Sequence, residues 1–220
     1  MTTALITGAS SGIGTVYARR LAARNHDLVL VARATDRLNT LAEELRKAHG
    51  VTIEVITADL TDAAQLNLVA DRLRADPPID ILVNNAGAGL SGGFADANPI
   101  ALENLLRLNS LAPTLLTTAV LGGMLKRGHG SIVNIASALA ILPEYAHGIY
   151  AATKSCVLTM SQSLNAEVGP QGIYVQAVLP AATRTDISKV PDVMEVDDLV
   201  DAAMTRRFHA RAALPQLHAD

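Results

Sequence analysis

The sequence contains a single cysteine, Cys156, so the chain of 220 residues cannot form an internal disulfide. We therefore expect a reducing, cytoplasmic setting. Its six histidines are dispersed without metal-ligand spacing, which predicts no metal site. The net charge of −3 comes from 18 basic and 21 acidic residues, with no run of like charge longer than a pair. This pattern is not suited to binding a nucleic-acid backbone or an anionic membrane.

Long apolar runs are also missing. The first residues, MTTALITGAS, have no basic segment and only three consecutive apolar residues, so we expect no signal peptide. The longest uncharged stretch, 110–125, includes a proline, three threonines and two glycines. It is shorter than the ~20 apolar residues that span a membrane, and we predict a buried helix there. With 50% hydrophobic residues, the chain is expected to form a single domain over 1–220.

Short apolar segments alternate with longer amphipathic ones along the chain. Near-continuous apolarity in the short segments is typical of strands that are buried on both faces. The alternation predicts an α/β fold with a doubly wound, Rossmann-like parallel sheet and helices on both faces. The predicted strands are 3–7, 27–32, 52–57, 79–84, 131–136 and 174–179, and the predicted helices are 13–24, 36–49, 62–75, 99–126, 148–168 and 195–208.

A glycine-rich turn, TGASSGIG at 7–14, follows the first predicted strand and leads into a helix. Glycines permit a tight turn and let a ligand approach the backbone. The helix would point its N-terminal N–H groups at the same space, which fits a pyrophosphate. The position within a βαβ unit favours dinucleotide binding, although an ordinary strand-to-helix turn is the alternative.

The G-x3-G-x-G spacing of this turn, NNAG at 84–87 and YAATK at 150–154 resemble the classical short-chain dehydrogenase/reductase family over about residues 3–186. The resemblance implies an oxidoreductase that interconverts a carbonyl and an alcohol on a small molecule, using NADP or NAD. It also implies a set of cofactor contacts. These are Gly8, Ser10, Ser11, Gly12, Ile13, Gly14, Arg33, Asp59, Leu60, Asn84, Asn85, Ala86, Gly87, Tyr150, Lys154, Pro180, Ala181, Thr183 and Thr185.

The end of the second predicted strand bears on the choice between NADP and NAD. An acid about 20 residues past the glycines binds the ribose of NAD, whereas an arginine accommodates the 2′-phosphate of NADP. Ala32 and Arg33 stand there, so we predict NADP, with an NAD-preferring enzyme and a merely surface-exposed Arg33 as alternatives. Asp59 matches the family position that contacts the adenine, and it could instead cap the following helix.

Tyr150 and Lys154 are four residues apart, so on a helix they share one face. A free tyrosine has a pKa near 10, and a neighbouring ammonium would lower it and favour acid/base catalysis. The resemblance implies that Tyr150 is this catalyst and that Lys154 also binds the nicotinamide ribose. The alternative is a helix whose tyrosine and lysine extend to the surface.

Two further residues complete the expected catalytic set. Ser137 follows a predicted strand, and its side chain would emerge at the carboxyl edge, where ligands bind in such sheets. The resemblance implies that Ser137 orients the substrate carbonyl and that Asn109 holds a water in a proton relay from Lys154. The alternatives are a strand-end cap for Ser137 and a structural role before Pro113 for Asn109. The asparagines of NNAG are expected to be mostly structural.

The chain departs from the family at two places. Ala181 replaces a usual glycine after the sixth strand. The alanine would weaken cofactor binding if that position has a positive φ or if the glycine lets the cofactor approach closely. Residues 206–220 contain no strand-like run, so the family's seventh strand is expected to be missing. These departures leave open a cofactor-binding redox sensor or subunit as the second functional class.

The family also forms dimers through two long helices. The resemblance therefore implies a homodimer through helices 99–126 and 148–168. Small residues at Ala112, Ala119, Gly122 and Gly123 would suit close packing of these helices across a two-fold axis.

Overall fold

The chain folds into one six-stranded parallel sheet in the computed structural model, which describes residues 2–89, 93–145, 148–181 and 196–209. The strands lie in the order β3-β2-β1-β4-β5-β6, which confirms the predicted doubly wound α/β fold. Strand order reverses beside β1, and ligands bind at such a switch point. The strands are β1 (Thr3–Thr7), β2 (Asp27–Ala32), β3 (Ile53–Thr57), β4 (Ile81–Asn84), β5 (Gly130–Ile135) and β6 (Ile173–Val178).

Helices connect the strands, and several of their ends follow from local sequence. The Asp62 side chain accepts a hydrogen bond from the Gln65 N–H at 2.9 Å and caps the third helix. Gly50 and Gly128 end the second and fifth helices in the left-handed conformation. The helices are α1 (Gly12–Ala22), α2 (Thr35–His49), α3 (Ala63–Arg74), α4 (Pro99–Leu106), α5 (Ala112–Arg127), α6 (Tyr150–Val168) and α7 (Val196–His209).

Apolar side chains cover both faces of the sheet. On one face Ile6 and its neighbours pack with α1, α2 and α7, where Leu21 and Met204 are buried. On the other face Leu5 packs with α3 and α5, where Leu116 is buried. Alternate residues of each strand thus face opposite cores, which explains their near-continuous apolarity.

The predicted helix 99–126 is divided by a π-helical turn at Arg107–Leu111, between α4 and α5. The stretch Pro99–Arg127 is long and apolar enough to cross a membrane when judged by length and composition alone, with a mean hydropathy of 1.3. Of the most apolar 18 residues in this stretch, 44% are buried inside the protein. Core helices also meet this criterion.

The last described helix, α7, is fastened to the first. The Arg20 guanidinium donates to the Asp201 carboxylate at 2.8 and 3.0 Å and to Asp197 at 3.0 Å. A bidentate pair of this kind fixes geometry as well as charge. Residues 206–209 of the atypical segment 206–220 continue α7. Residues 210–220 lie outside the described residues, and so does the expectation that the seventh strand is missing there.

Candidate active site

The glycine turn joins β1 to α1 and requires its glycines for two reasons. Gly8 and Gly12 have φ values of +65° and +52°, in the left-handed region that side chains disfavour. A Cβ at Gly14 would collide with the Gly8 carbonyl oxygen, so this glycine allows α1 to pack on the turn. Ser11, which precedes α1, makes no side-chain cap. The start of α1 therefore offers backbone N–H groups to an anion such as a pyrophosphate.

The loop after β4 braces the glycine turn. The N–H groups of Asn85 and Ala86 both donate to the Thr7 hydroxyl at 3.0 Å. The Asn85 side-chain amide donates to the carbonyls of Thr7 at 2.9 Å and Gly8 at 3.1 Å. These bonds hold two neighbouring strand ends together. The sequence indicates a structural role for the asparagines, but nothing in it identifies Thr7 as the partner of Asn85.

A cleft of about 1110 Å³ opens at the carboxyl edge of the sheet. Of the predicted site residues, Gly14, Asn84 and Asn109 lie outside its lining, and Thr183 and Thr185 fall outside the described residues. Leu108, Ala88 and Leu139 also line it; they stand beside the recognised motifs but carried no signal of their own. The predicted residues that line the cleft are Gly8, Ser10, Ser11, Gly12, Ile13, Arg33, Asp59, Leu60, Asn85, Ala86, Gly87, Ser137, Tyr150, Lys154, Pro180 and Ala181.

Arg33 and Asp59 meet at one end of the cleft. The Arg33 side chain is 77% exposed, and its guanidinium lies 3.7 Å from the Asp59 carboxylate. A hydrogen bond from the Thr61 backbone lowers the pKa of Asp59, and the charge of Arg33 adds to this effect. The alternative that Asp59 caps α3 is wrong because Asp62 fills that position. Arg37, in the first turn of α2, lines the same end.

Tyr150 and Ser137 meet at the other end. Burial raises the pKa of Tyr150 above its ordinary value, and hydrogen bonding with the Ser137 hydroxyl opposes this shift. The expected lowering of this pKa by Lys154 is therefore wrong for the protein without cofactor, since desolvation dominates. Ser137 also acts as the proposed strand-end cap, because its hydroxyl oxygen accepts from the Leu139 N–H at 3.2 Å.

Lys154 is buried beneath Tyr150, which excludes the alternative of a lysine extending to the surface. Lys154 is only 5% exposed, and its Nζ donates to the Ile135 carbonyl at 2.9 Å. The Nζ lies 5.8 Å from the centre of the Tyr150 ring. Burial lowers the pKa of Lys154 to about 8. At neutral pH the ammonium therefore remains the main form, but it loses its proton far more readily than a surface lysine.

Asn109 lies in the π turn, where its amide joins three elements. Its oxygen accepts from the Ala88 N–H at 2.9 Å, while its nitrogen donates to the Ala88 carbonyl at 2.9 Å and to Thr153 at 3.2 Å. These bonds support the structural role left open from sequence. A Cβ at Gly87 would lie 3.3 Å from both the Asn109 oxygen and the Lys154 Nζ. Gly87 thus leaves the space between these two groups free.

Two expectations about the surrounding residues need correction. Asn84 does not line the cleft; it is buried, and its amide donates to Asn134 at 2.9 Å and Thr117 at 3.1 Å. Among the described residues Asn25 is the only non-glycine with a positive φ. Ala181 therefore does not have the positive φ that would strain it, which removes one of the two reasons to doubt cofactor affinity.

Comparisons with known proteins agree with this geometry. A family model described as short chain dehydrogenase matches residues 2–194. A bulky-bulky ketone specific alcohol dehydrogenase from Comamonas testosteroni is similar in structure, with 47% identity and a TM-score of 0.90, covering 100% of this chain and 97% of that one. A short-chain dehydrogenase from Sphingobium yanoikuyae in complex with NADPH has 46% identity and a TM-score of 0.91, covering 100% and 99%.

Curated relatives extend beyond this chain. A very-long-chain 3-oxoacyl-CoA reductase from Anas platyrhynchos is 35% identical over 194 residues, which are 85% of this chain and 61% of that protein. The chain thus spans about three fifths of the length of the first curated relatives. An uncharacterized oxidoreductase from Staphylococcus epidermidis is 31% identical over 94% of this chain and 92% of its own length.

Proposed function

The chain belongs to the short chain dehydrogenase family of NAD(P)-dependent oxidoreductases, and from this premise we propose that it is an NADP-dependent enzyme that interconverts a ketone and an alcohol. One observation carries the proposal. Tyr150, Ser137 and Lys154 lie in the same cleft as the glycine turn, so an acid/base pair and a dinucleotide cradle share one space. A protein that only binds a cofactor has no need of this arrangement.

The residues of the cleft divide the chemistry between them. A bound NADPH supplies the hydride that is added to the carbonyl carbon. Tyr150 donates its phenolic proton to the carbonyl oxygen, and the Ser137 hydroxyl holds that oxygen in place. Burial keeps Tyr150 protonated at neutral pH, which favours its action as an acid in the direction of reduction. Lys154 would hold the nicotinamide ribose, and its Nζ lies 5.8 Å from the centre of the Tyr150 ring.

The preference for NADP rests on charge at the adenine end. Ala32 brings no carboxylate to the end of β2, while Arg33 and Arg37 line the cleft there. A guanidinium forms strong charge-assisted bonds with phosphate. Asp59 pairs with Arg33 and partly neutralises the charge that would attract the phosphate. An enzyme that prefers NAD is therefore the alternative, and titrations with both cofactors distinguish the two. The structural relative that contains NADPH supports the choice.

The substrate is proposed to be an uncharged ketone with apolar groups on both sides. Ile141, Leu142 and Tyr145 follow the cleft-lining Leu139 in the chain and are 61%, 43% and 75% exposed, so this segment presents large apolar side chains at the surface. Such surface fits bulky apolar groups. The structural relative named for bulky-bulky ketones supports this class.

The experiment that tests the function follows NADPH absorbance with a panel of ketones. Diaryl and branched ketones should be reduced, and small linear ketones should react slowly. NADH at the same concentration should support much less turnover. Binding of NADPH without turnover across the panel would instead favour the cofactor-binding sensor.

We also propose a cytoplasmic homodimer through the helices at 99–126 and 148–168. Of the small residues expected at the interface, Ala112 and Ala119 are buried against the sheet, whereas Gly122 is exposed. The outer side of the π turn and α5 also carries Leu111 and Leu115, which are 43% and 41% exposed. On α6 the exposed Cys156 lies among other small side chains, so a leucine pair could pack closely against it.

A further inference from the structure

A chain of buried polar side chains crosses the core just below the cleft. Asn84 on β4 and Asn134 on β5 are neighbours in the sheet, and their amides are joined by a bond of 2.9 Å. The Asn84 amide also donates to Thr117 on α5 at 3.1 Å. At the other end the Asn134 amide donates to the Ser161 hydroxyl on α6 at 2.9 Å. The chain therefore links α5, two central strands and α6.

The direction of the bond between Asn134 and Ser161 is fixed by the second bond of the serine hydroxyl. Ser161 donates its own proton to the Val157 carbonyl at 2.7 Å, so its oxygen is the acceptor for Asn134. Asn134 is fully buried and Ser161 is 2% exposed. Apolar residues of similar shape would fill such a core with equal or better stability. Stability is therefore not the evident reason for this pair.

The hydrogen bond between Asn134 and Ser161 is the second of two side-chain hydrogen bonds that join α6 to β5. The first is the bond from Lys154 to the carbonyl of Ile135, the residue after Asn134. Ser161 lies seven residues, about 10 Å, beyond Lys154, and Tyr150 lies four residues, about 6 Å, before it. If the far attachment is lost, α6 can swing about Lys154. A displacement of about 1 Å at Ser161 then moves Tyr150 by about 0.6 Å.

We propose that Asn134 and Ser161 are positioning residues that hold Tyr150 against Ser137 by fixing how α6 lies on β5. This inference rests on the proposed function, since it assigns the pair to the alignment of the acid with the carbonyl. A shift of about half an ångström in a reacting group reduces turnover on the order of tenfold. Cofactor binding is affected little, because Lys154 is the pivot and does not move.

The first test compares Ser161→Ala with Ser163→Ala, an exposed serine two residues further along α6. Ser161→Ala should reduce kcat for ketone reduction about tenfold while the Kd for NADPH stays within about twofold. Its melting temperature should fall, since the Asn134 amide loses its acceptor. Ser163→Ala should match the wild type in all three measurements. A wild-type kcat in Ser161→Ala would overturn the proposal.

A double variant separates positioning from stability. In Asn134→Leu combined with Ser161→Ala both partners of the buried bond are removed. The Asn84 amide loses its bond to Asn134 but keeps two acceptors, Thr117 at 3.1 Å and the Pro113 carbonyl at 3.4 Å. The melting temperature should therefore recover, but kcat should stay low. Recovery of kcat together with stability would show that the pair is merely structural. A double variant that does not fold would also contradict the argument, which requires the Asn84 amide nitrogen to keep its acceptors Thr117 and Pro113.

A third measurement needs no turnover and so distinguishes failure of this inference from failure of the proposed function. The chain has four tyrosines and no tryptophan, so tyrosinate absorbance can be followed cleanly. Subtracting the titration curve of Tyr150→Phe from that of the protein with Tyr150 leaves the titration of Tyr150 alone. Because contact with Ser137 lowers the Tyr150 pKa, Ser161→Ala should raise it. An unchanged titration would overturn the inference even if no ketone is ever reduced.

Discussion

Replacing Lys154 by methionine should stabilise the protein without cofactor and abolish its turnover. The lysine has a pKa of about 8 in the fold against 10.5 as a free side chain, because burial disfavours the ammonium. One pKa unit corresponds to about 1.4 kcal/mol, so the charged form is destabilised by about 3 kcal/mol at pH 7. Methionine carries no charge, so it avoids the free-energy cost of burying the ammonium, and it fills a similar volume.

The loss of one hydrogen bond offsets part of the gain. The Ile135 carbonyl accepts from Lys154, and removing that donor costs about 1 kcal/mol. We therefore expect Lys154→Met to unfold with a free energy about 2 kcal/mol higher than the wild type at pH 7, as measured by urea denaturation. Lys47→Met, on the exposed side of α2, is the control and should change stability by less than about 0.5 kcal/mol.

The pH dependence provides the sharper test. Between pH 8 and 10.5 the unfolded lysine binds a proton that the folded one has largely lost, so wild-type stability rises with pH relative to Lys154→Met. The difference in unfolding free energy between Lys154→Met and the wild type should be greatest below pH 8. It should decrease by about 1 kcal/mol between pH 7 and 9. A variant that is less stable than the wild type at pH 7, with a difference independent of pH, would refute the reasoning.

Three further predictions concern the other parts of the site and assembly. Tyr150→Phe should lower kcat by a factor on the order of 10² or more with little change in NADPH affinity, because the proton donor is lost, and wild-type turnover at saturating cofactor would rule out this role. Arg33→Ala should weaken NADPH binding by about 1.5–3 kcal/mol and leave NADH binding nearly unchanged, and calorimetric titrations showing equal losses would contradict a phosphate contact. Leu115→Glu should convert a dimer to a monomer in light scattering, whereas the exposed substitution Leu68→Glu on α3 should not; a wild-type tetramer would show that another interface dominates.

Much of the site could be predicted from sequence because its chemistry is carried by local patterns. The glycine turn lies between a strand and a helix that are adjacent in the chain, and their geometry requires glycine at Gly8, Gly12 and Gly14. The spacing of Tyr150 and Lys154 places both on one face of α6 whatever the rest of the fold does. Strand and helix ends were also close to their predicted bounds, since apolar periodicity directly reflects burial.

Other features depended on contacts between distant segments, which no local pattern encodes. The sequence by itself determined which residues bring a proton, a cation and a phosphate cradle, because these are properties of residue type and short spacing. Only the tertiary structure decided that burial raises the pKa of Tyr150 and lowers that of Lys154, since desolvation depends on everything packed around a group. It likewise decided that Asn134 meets Ser161, because that bond forms only when α6 lies across β5.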